Sequence, residues 1–165
     1  MQEENQTIKK NLGLAVRIIL LALIICFFLP FCTFSCAYSE DIQVNGIQST
    51  FGVEVMGEHL DGYMLCAVLI IVPIALLVVS FLSKQIKFAE ILYVVGAIID
   101  VIILFAYRSR ALSIAEENLA TAKFGLGYYL EFILNIALLA AAGFLFLKSK
   151  DNKGSTENAE NNQTE

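Results

Sequence analysis

Two cysteines in this sequence have the spacing of a possible disulfide or redox pair. Cys32 and Cys36 are four residues apart and are followed by Glu40 and Asp41. A redox-active cysteine needs a thiol whose pKa is lowered by a cation or a helix N-terminus, whereas the neighbouring acids raise it. We therefore expect a structural disulfide that pins this segment. Two free thiols are the main alternative, and redox catalysis is the third.

Two acids, Asp100 and Glu131, interrupt runs that are otherwise apolar. A charge at the centre of a membrane helix costs about 2.5–3.5 kcal/mol on insertion scales. Asn135 lies one helical turn after Glu131 on the same face. We favour a helix-packing seam in which a carboxyl is neutral or paired with Arg108 or Arg110. A proton or cation site with coupled titration is the sharper alternative, and carboxylate-assisted hydrolysis is the third.

Composition indicates no metal, cofactor or nucleic-acid site. The only histidine is His59, and it does not form a cluster with the four cysteines. The net charge is −5, and no basic face of the kind that binds nucleic acid is present. We expect a protein without catalytic activity.

The elements that must position these residues are membrane helices. A spanning helix needs about 20 predominantly apolar residues, and four runs meet this need with their flanks: 12–29, 63–82, 88–107 and 127–147. The first run exceeds the apolar length of a signal peptide, so we expect it to be retained. Pro73 predicts a kink in the second run. We predict an all-α membrane protein with four transmembrane helices in residues 12–147.

Charge bias predicts the orientation of these helices. Positively charged residues favour the cytoplasmic side. Eight of them fall on the side of the termini: Lys9, Lys10, Arg17, Lys84, Lys87, Lys148, Lys150 and Lys153. The other side has Arg108, Arg110 and Lys123. The sequence therefore predicts a multi-pass protein of the plasma membrane with cytoplasmic tails at 1–11 and 148–165, the latter disordered, and outer loops at 30–62 and 108–126.

The first outer loop has the pattern of a β-hairpin. Apolar and polar residues alternate from Asp41 to Phe51 around Asn45-Gly46, a dipeptide that favours a two-residue type I′ turn. A lone hairpin is marginally stable in water. We expect it to rest on the outer helix ends or on 108–124.

The same loop resembles a pattern in small, uncharacterised bacterial multi-span membrane proteins. The pattern comprises Leu29-Pro30-Phe31 at the end of a first helix, then Ser35-Cys36, then Gly46 and Gly52 six residues apart. The resemblance implies a bacterial multi-span protein and no particular activity. Cys32 is an addition to the pattern, and Asn45 and Phe51 stand where small residues are usual.

Two further likenesses are topological. Claudins also have four helices and a β-rich first outer loop, although their tryptophan motif is absent here. Quinone-linked disulfide-generating oxidases have four helices and a Cys-x-x-Cys pair near the outer end of helix one. In this chain the pair is one residue further apart, and 108–124 has no cysteine to complete a relay.

These patterns support a ranked set of functions. We expect a non-enzymatic integral membrane protein that contacts lipid and binds a protein partner, or a second copy of itself, through 30–62. The alternative is a small ion- or proton-coupled transporter or channel that uses Asp100 and Glu131. A thiol-disulfide oxidoreductase is the second alternative.

Overall fold

The structure, a computed structural model, describes residues 2–36, 41–55, 58–82, 89–117 and 120–161. It is mostly helical. The helices are α1 Gln2–Cys26, α2 Gly46–Phe51, α3 Val68–Leu82, α4 Ala89–Glu117 and α5 Leu126–Asn161, with a 3₁₀ turn at Met64–Ala67 before α3. The strands are β1 Pro30–Cys36, β2 Ile42–Asn45, β3 Val53–Val55, β4 Glu58–Leu60 and β5 Ala120–Phe124.

The four long helices form a bundle. Each helix packs against its two neighbours: α1 against α3 and α5, and α4 against α3 and α5. Among the described residues, three helices are long and apolar enough to cross a membrane: Met64–Leu82, Ala89–Glu117 and Leu126–Leu147. The predicted runs 63–82, 88–107 and 127–147 fall on these three helices.

The outer surface of the bundle is apolar, as lipid contact requires. Ile71, Phe105 and Ile133 are more than half exposed, at 59%, 55% and 60%, and point away from the bundle core. A soluble protein rarely leaves contiguous apolar patches of this extent in water. This surface suggests contact between the helices and a lipid bilayer.

A small antiparallel sheet joins the two segments that the sequence assigns to outer loops. Strand β1 is central, with β2 on one side and β5 on the other. Cys32 of β1 is opposite Val44 of β2 and Phe124 of β5. A separate two-stranded sheet pairs β3 with β4. We call residues 30–36, 41–55, 58–62 and 120–125 the cap.

The turn predicted at Asn45-Gly46 is wrong, although the loop does contain antiparallel strand pairs. Asn45 is instead the N-cap of α2: its side chain accepts from the Gln48 N–H at 2.9 Å, and the Gln48 side chain accepts from the Asn45 N–H at 3.1 Å. This capping box starts a helix where a turn is predicted. Gly52 then ends α2 with a positive φ of 92°.

The cap rests on the helix ends, as expected. One core cluster combines Phe31 and Cys32 of the cap with Leu69, Leu104 and Tyr128 of three helices. The segment after 107 also contributes in two ways, because α4 continues to Glu117 and β5 pairs with β1. Three aromatic residues near the outer helix ends, Phe31, Tyr107 and Tyr128, are buried in this cluster.

At the end of the bundle opposite the cap, Arg17 joins α1 to α3. Its guanidinium donates to the Ser80 hydroxyl at 2.8 Å and to the Ser80 carbonyl at 2.9 Å, and it lies over the Phe81 ring at 4.8 Å. These contacts link α1 to the last turn of α3. Helix α5 continues to Asn161, through most of the tail for which composition predicts disorder.

Candidate functional site

Three polar side chains are completely enclosed in the middle of the bundle. Asp100 of α4 and Glu131 and Asn135 of α5 are each 0% exposed. We call these three residues the polar layer. The Asn135 amide nitrogen donates to the Glu131 backbone carbonyl at 3.0 Å. Within the described part of the chain, the four carboxylate oxygens and the Asn135 Oδ1 have no hydrogen-bond partner.

The polar layer separates two apolar clusters. On α4, Ala97 belongs to one cluster and Leu104 to the other, and Asp100 lies between them. On α5, Tyr128 and Leu138 flank Glu131 and Asn135 in the same way. The layer is therefore a discrete polar level inside an otherwise apolar bundle.

The two remaining helices also change character at this level. On α1, Cys26 is buried and interacts electrostatically with Glu131. On α3, the buried Pro73 lies inside the helix. Because proline has no N–H, the carbonyl of Leu69 lacks its usual intrahelical partner. Each of the four helices thus brings a polar, sulfur or helix-breaking residue to one level.

A close helix contact lies one turn from Asp100. A Cβ added at Gly96 would lie 2.7 Å from the Leu76 Cδ1 and 3.0 Å from the Val72 Cγ1. Gly96 therefore allows α3 and α4 to approach each other, as small residues do in membrane bundles. This agrees with the packing that the sequence suggests for the face of Asp100.

The arginines proposed as partners of the acids are engaged elsewhere. Arg108 lies over the Phe124 ring at 5.2 Å and hydrogen-bonds to Tyr128. Arg110 is exposed and lines a cleft between the cap and α4. The prediction that Arg108 or Arg110 pairs with a carboxyl of the packing seam is therefore wrong.

The second candidate site is a cleft of about 260 Å³ between the cap and the extension of α4. Its apolar part includes Phe34, Val44 and Ile114, and its charged residues are Asp61, Arg110 and Glu117. At one wall, the Ser49 and Tyr107 hydroxyls are 3.0 Å apart in a buried hydrogen bond that joins α2 to α4. The cleft is thus an apolar recess with charged groups among its lining residues.

Sequence reasoning missed this cleft because its walls come from segments far apart in the chain. The predicted loop 30–62 supplies Ser49 and Asp61, and α4 supplies Tyr107 and Arg110. One signal was present: Asn45 followed three residues later by Gln48 is a capping-box pattern. Such a pattern predicts the helix that carries Ser49 into this wall.

The predicted disulfide is not shown. Cys32 is a free, buried thiol, and both cysteines of the proposed pair lie in β1. Four residues along a strand separate Cα atoms by about 13 Å, whereas a disulfide needs less than about 7 Å. Burial raises the pKa of the Cys32 thiol to about 11, although backbone N–H groups of Thr33 and Lys123 oppose the shift. Redox catalysis by this thiol gains no support.

In comparisons with known proteins, no protein-family model and no curated protein matches this chain. The fold itself is a helical bundle with an apolar surface, consistent with a membrane protein, and a sheet-bearing cap.

Proposed function

We propose that the chain is a four-span protein of the plasma membrane with both termini in the cytoplasm and the cap outside. The fourth span in this proposal is α1, whose apolar part packs alongside α3 and α5. Its residues Leu14, Ile18 and Ile25 are exposed on the bundle surface, as lipid-facing residues would be. The bias of Lys and Arg towards the side of the termini supports the orientation.

Within this topology, the protein is a non-enzymatic receptor that binds a segment of another protein in the cleft of the cap. The observation that carries this function is the cleft itself. Its volume of about 260 Å³ is below the range of about 300–1,000 Å³ typical of small-molecule sites, and it suits one or two side chains of a partner. Asp61, Arg110 and Glu117 supply charges that a polar segment would match.

Site-specific photo-crosslinking tests this function. Glu117 lines the cleft, whereas its neighbour Glu116 is exposed and does not. A photoreactive phenylalanine analogue at 117 is expected to capture one discrete protein in intact cells, and the same analogue at 116 is expected to capture several-fold less. Both positions lie at the same end of α4, so a difference reports the cleft.

The captured species decides between occupants. A partner of a different sequence, identified by mass spectrometry and competed away by a peptide from that partner, supports the proposal. A crosslink between two copies of this chain shows self-association instead. Equal labelling at 116 and 117, or no protein adduct at either position, contradicts binding in the cleft.

A further inference from the structure

The unpartnered atoms of the polar layer are all hydrogen-bond acceptors. Its five unpartnered atoms are the carboxylate oxygens of Asp100 and Glu131 and the Asn135 Oδ1. All five are oxygens, and the Asn135 nitrogen is already committed to a backbone carbonyl. These buried acceptor oxygens have no donor among the described residues. A positively charged ligand would satisfy them. Hard cations prefer carboxylate and carbonyl oxygens of this kind.

Among the described residues, the titratable groups around the polar layer provide no positive charge at this level. From α1, Cys26 is a buried thiol, which carries no positive charge. Tyr107 and Tyr128 lie towards the cap, and Tyr93 lies towards the other end. The stretch 69–76 of α3 contains no ionisable residue.

The charged side chains that flank the bundle are also engaged away from the layer. Arg17 contacts Ser80, and Arg108 contacts Phe124. Arg110 lines the cleft of the cap. Thus no charged partner for Asp100 or Glu131 is found among the described residues.

An unpaired carboxylate in such surroundings is strongly unfavourable, because the bundle interior and lipid both disfavour the charged form. Two carboxyls without a cationic side chain must therefore be neutralised by bound protons or by a bound metal ion. The layer is enclosed, at 0% exposure for all three residues, so bulk water cannot solvate a charge there. Neutrality must be achieved within the layer.

We propose that Asp100, Glu131 and Asn135 form an intramembrane binding site for a small hard cation, with protons on the carboxyls when no metal ion is bound. In the metal-free form, each carboxyl carries a proton. When a monovalent ion such as Na⁺ enters, one carboxyl releases its proton, and the ion takes its place. Both forms are electrically neutral, and the exchange conserves charge.

The ligand set favours a monovalent ion over a divalent one. Calcium takes six to eight oxygens and usually several carboxylates, whereas this layer offers two carboxyls and one amide. In the described residues no group of three or more His, Cys, Asp or Glu could hold a metal ion. The Leu69 carbonyl left without its helix partner at Pro73 is a further oxygen on α3. Broken helices supply such carbonyls to cation sites in transporters.

The test uses the full chain in lipid nanodiscs. Thermal unfolding is measured in NaCl and in choline chloride at equal ionic strength, and proton release on Na⁺ addition is followed with a pH dye. Infrared spectra record the protonated-carboxyl band from about pH 5 to about pH 9. The variants are Asp100→Asn, Glu131→Gln and Asn135→Ala. Glu116→Gln, which changes an exposed acid on α4, is the matched control.

The metal arm predicts that Na⁺ raises the unfolding temperature and releases about one proton per chain. Asn135→Ala should then weaken Na⁺ binding by at least about tenfold, and Asp100→Asn should abolish it. The proton arm is the contrary outcome, in which Na⁺ has no effect because the carboxyls bind protons only. In that arm the carboxyl band titrates within the measured range, and Asp100→Asn or Glu131→Gln removes part of its intensity. Glu116→Gln leaves the band and the Na⁺ response unchanged in either arm.

One result would overturn the proposal. That result is the absence of any Na⁺ effect, which rules out a metal-ion site. If the carboxyl band also stays constant across the whole pH range, the acids are a fixed, neutral packing seam. Folding of each variant is checked by its elution from a sizing column. Asn135→Ala leaves both carboxyls in place, so it keeps the test informative if Asp100→Asn does not fold. None of these readouts depends on the partner proposed for the cap.

Discussion

Burial governs what Cys32 can do. The thiol lies in the apolar cluster below the cap and is 0% exposed, and burial raises its pKa to about 11. The thiolate is the form that reacts with electrophiles and disulfides. With this pKa, only about one thiol in a thousand is ionised at about pH 8. Its place in the cluster identifies Cys32 as a packing residue.

Cys32 should therefore react slowly with alkylating reagents. We predict that maleimide labels Cys32 in native membranes at least about a hundredfold more slowly than an exposed cysteine, because both access and the thiolate fraction are reduced. An Asp61→Cys variant provides the reference, since Asp61 is exposed in the same cap. Peptide mapping by mass spectrometry measures both sites in one sample.

Denaturation in detergent is expected to equalise the two labelling rates. Comparable labelling of Cys32 and the introduced cysteine before denaturation would show that the thiol is accessible. That outcome would reopen the redox interpretation.

At the scale of elements, α2 is positioned by a glycine that cannot be enlarged. The Gly46 N–H donates to the Phe27 carbonyl at 2.9 Å, which ties the start of α2 to the end of α1. A Cβ at this position would lie 2.4 Å from the same carbonyl oxygen and 2.6 Å from the Phe27 ring. Gly46 therefore fixes how closely the cap approaches the bundle.

Gly46→Ala should destabilise the cap. Overpacking against backbone and a buried ring costs about 1–3 kcal/mol, so we expect earlier proteolysis within 41–62 and a lower unfolding temperature. Gly13→Ala is the control, because a Cβ at Gly13 meets nothing within 4 Å. If Gly46→Ala is as stable as the wild type, the contact between Gly46 and Phe27 is not as close as described.

The sequence predicts some elements and misses others for physical reasons. The long helices are visible because an apolar run of bilayer length is characteristic of a membrane helix. Asn45-Gly46 fits both a type I′ turn and a helix N-cap. Gln48, three residues after Asn45, favours the helix N-cap. The β1–β5 pairing was not predictable because residues 37–119 separate the two strands. No local pattern records which distant strand will pair.

At the scale of the molecule, the bundle is two apolar clusters with the polar layer between them. The sequence shows Asp100 and Glu131 as acids inside apolar runs. It does not show that Arg108 and Arg110 contact other groups. Whether the two acids have a charged partner depends on tertiary packing, which the sequence does not show. Because no such partner is found among the described residues, we interpret the layer as a candidate cation site and not only as a packing seam.

The orientation of the whole molecule depends on α1. Three spans would place the amino and carboxyl termini on opposite sides of the membrane, whereas four place them on the same side. The proposal requires the cap to be outside, with Arg17 and Ser80 at the cytoplasmic end of the bundle. The location of the amino terminus relative to the carboxyl terminus therefore distinguishes the two topologies.

The most direct test of the four-span topology is the location of both termini in intact cells. An epitope tag is placed at the amino terminus in one version, at the carboxyl terminus in a second, and after Asp61 in the cap in a third. We predict that antibody reaches the tag in the cap on intact cells and reaches both terminal tags only after permeabilisation. An amino-terminal tag that is accessible without permeabilisation, with the carboxyl-terminal tag protected, would contradict the four-span topology.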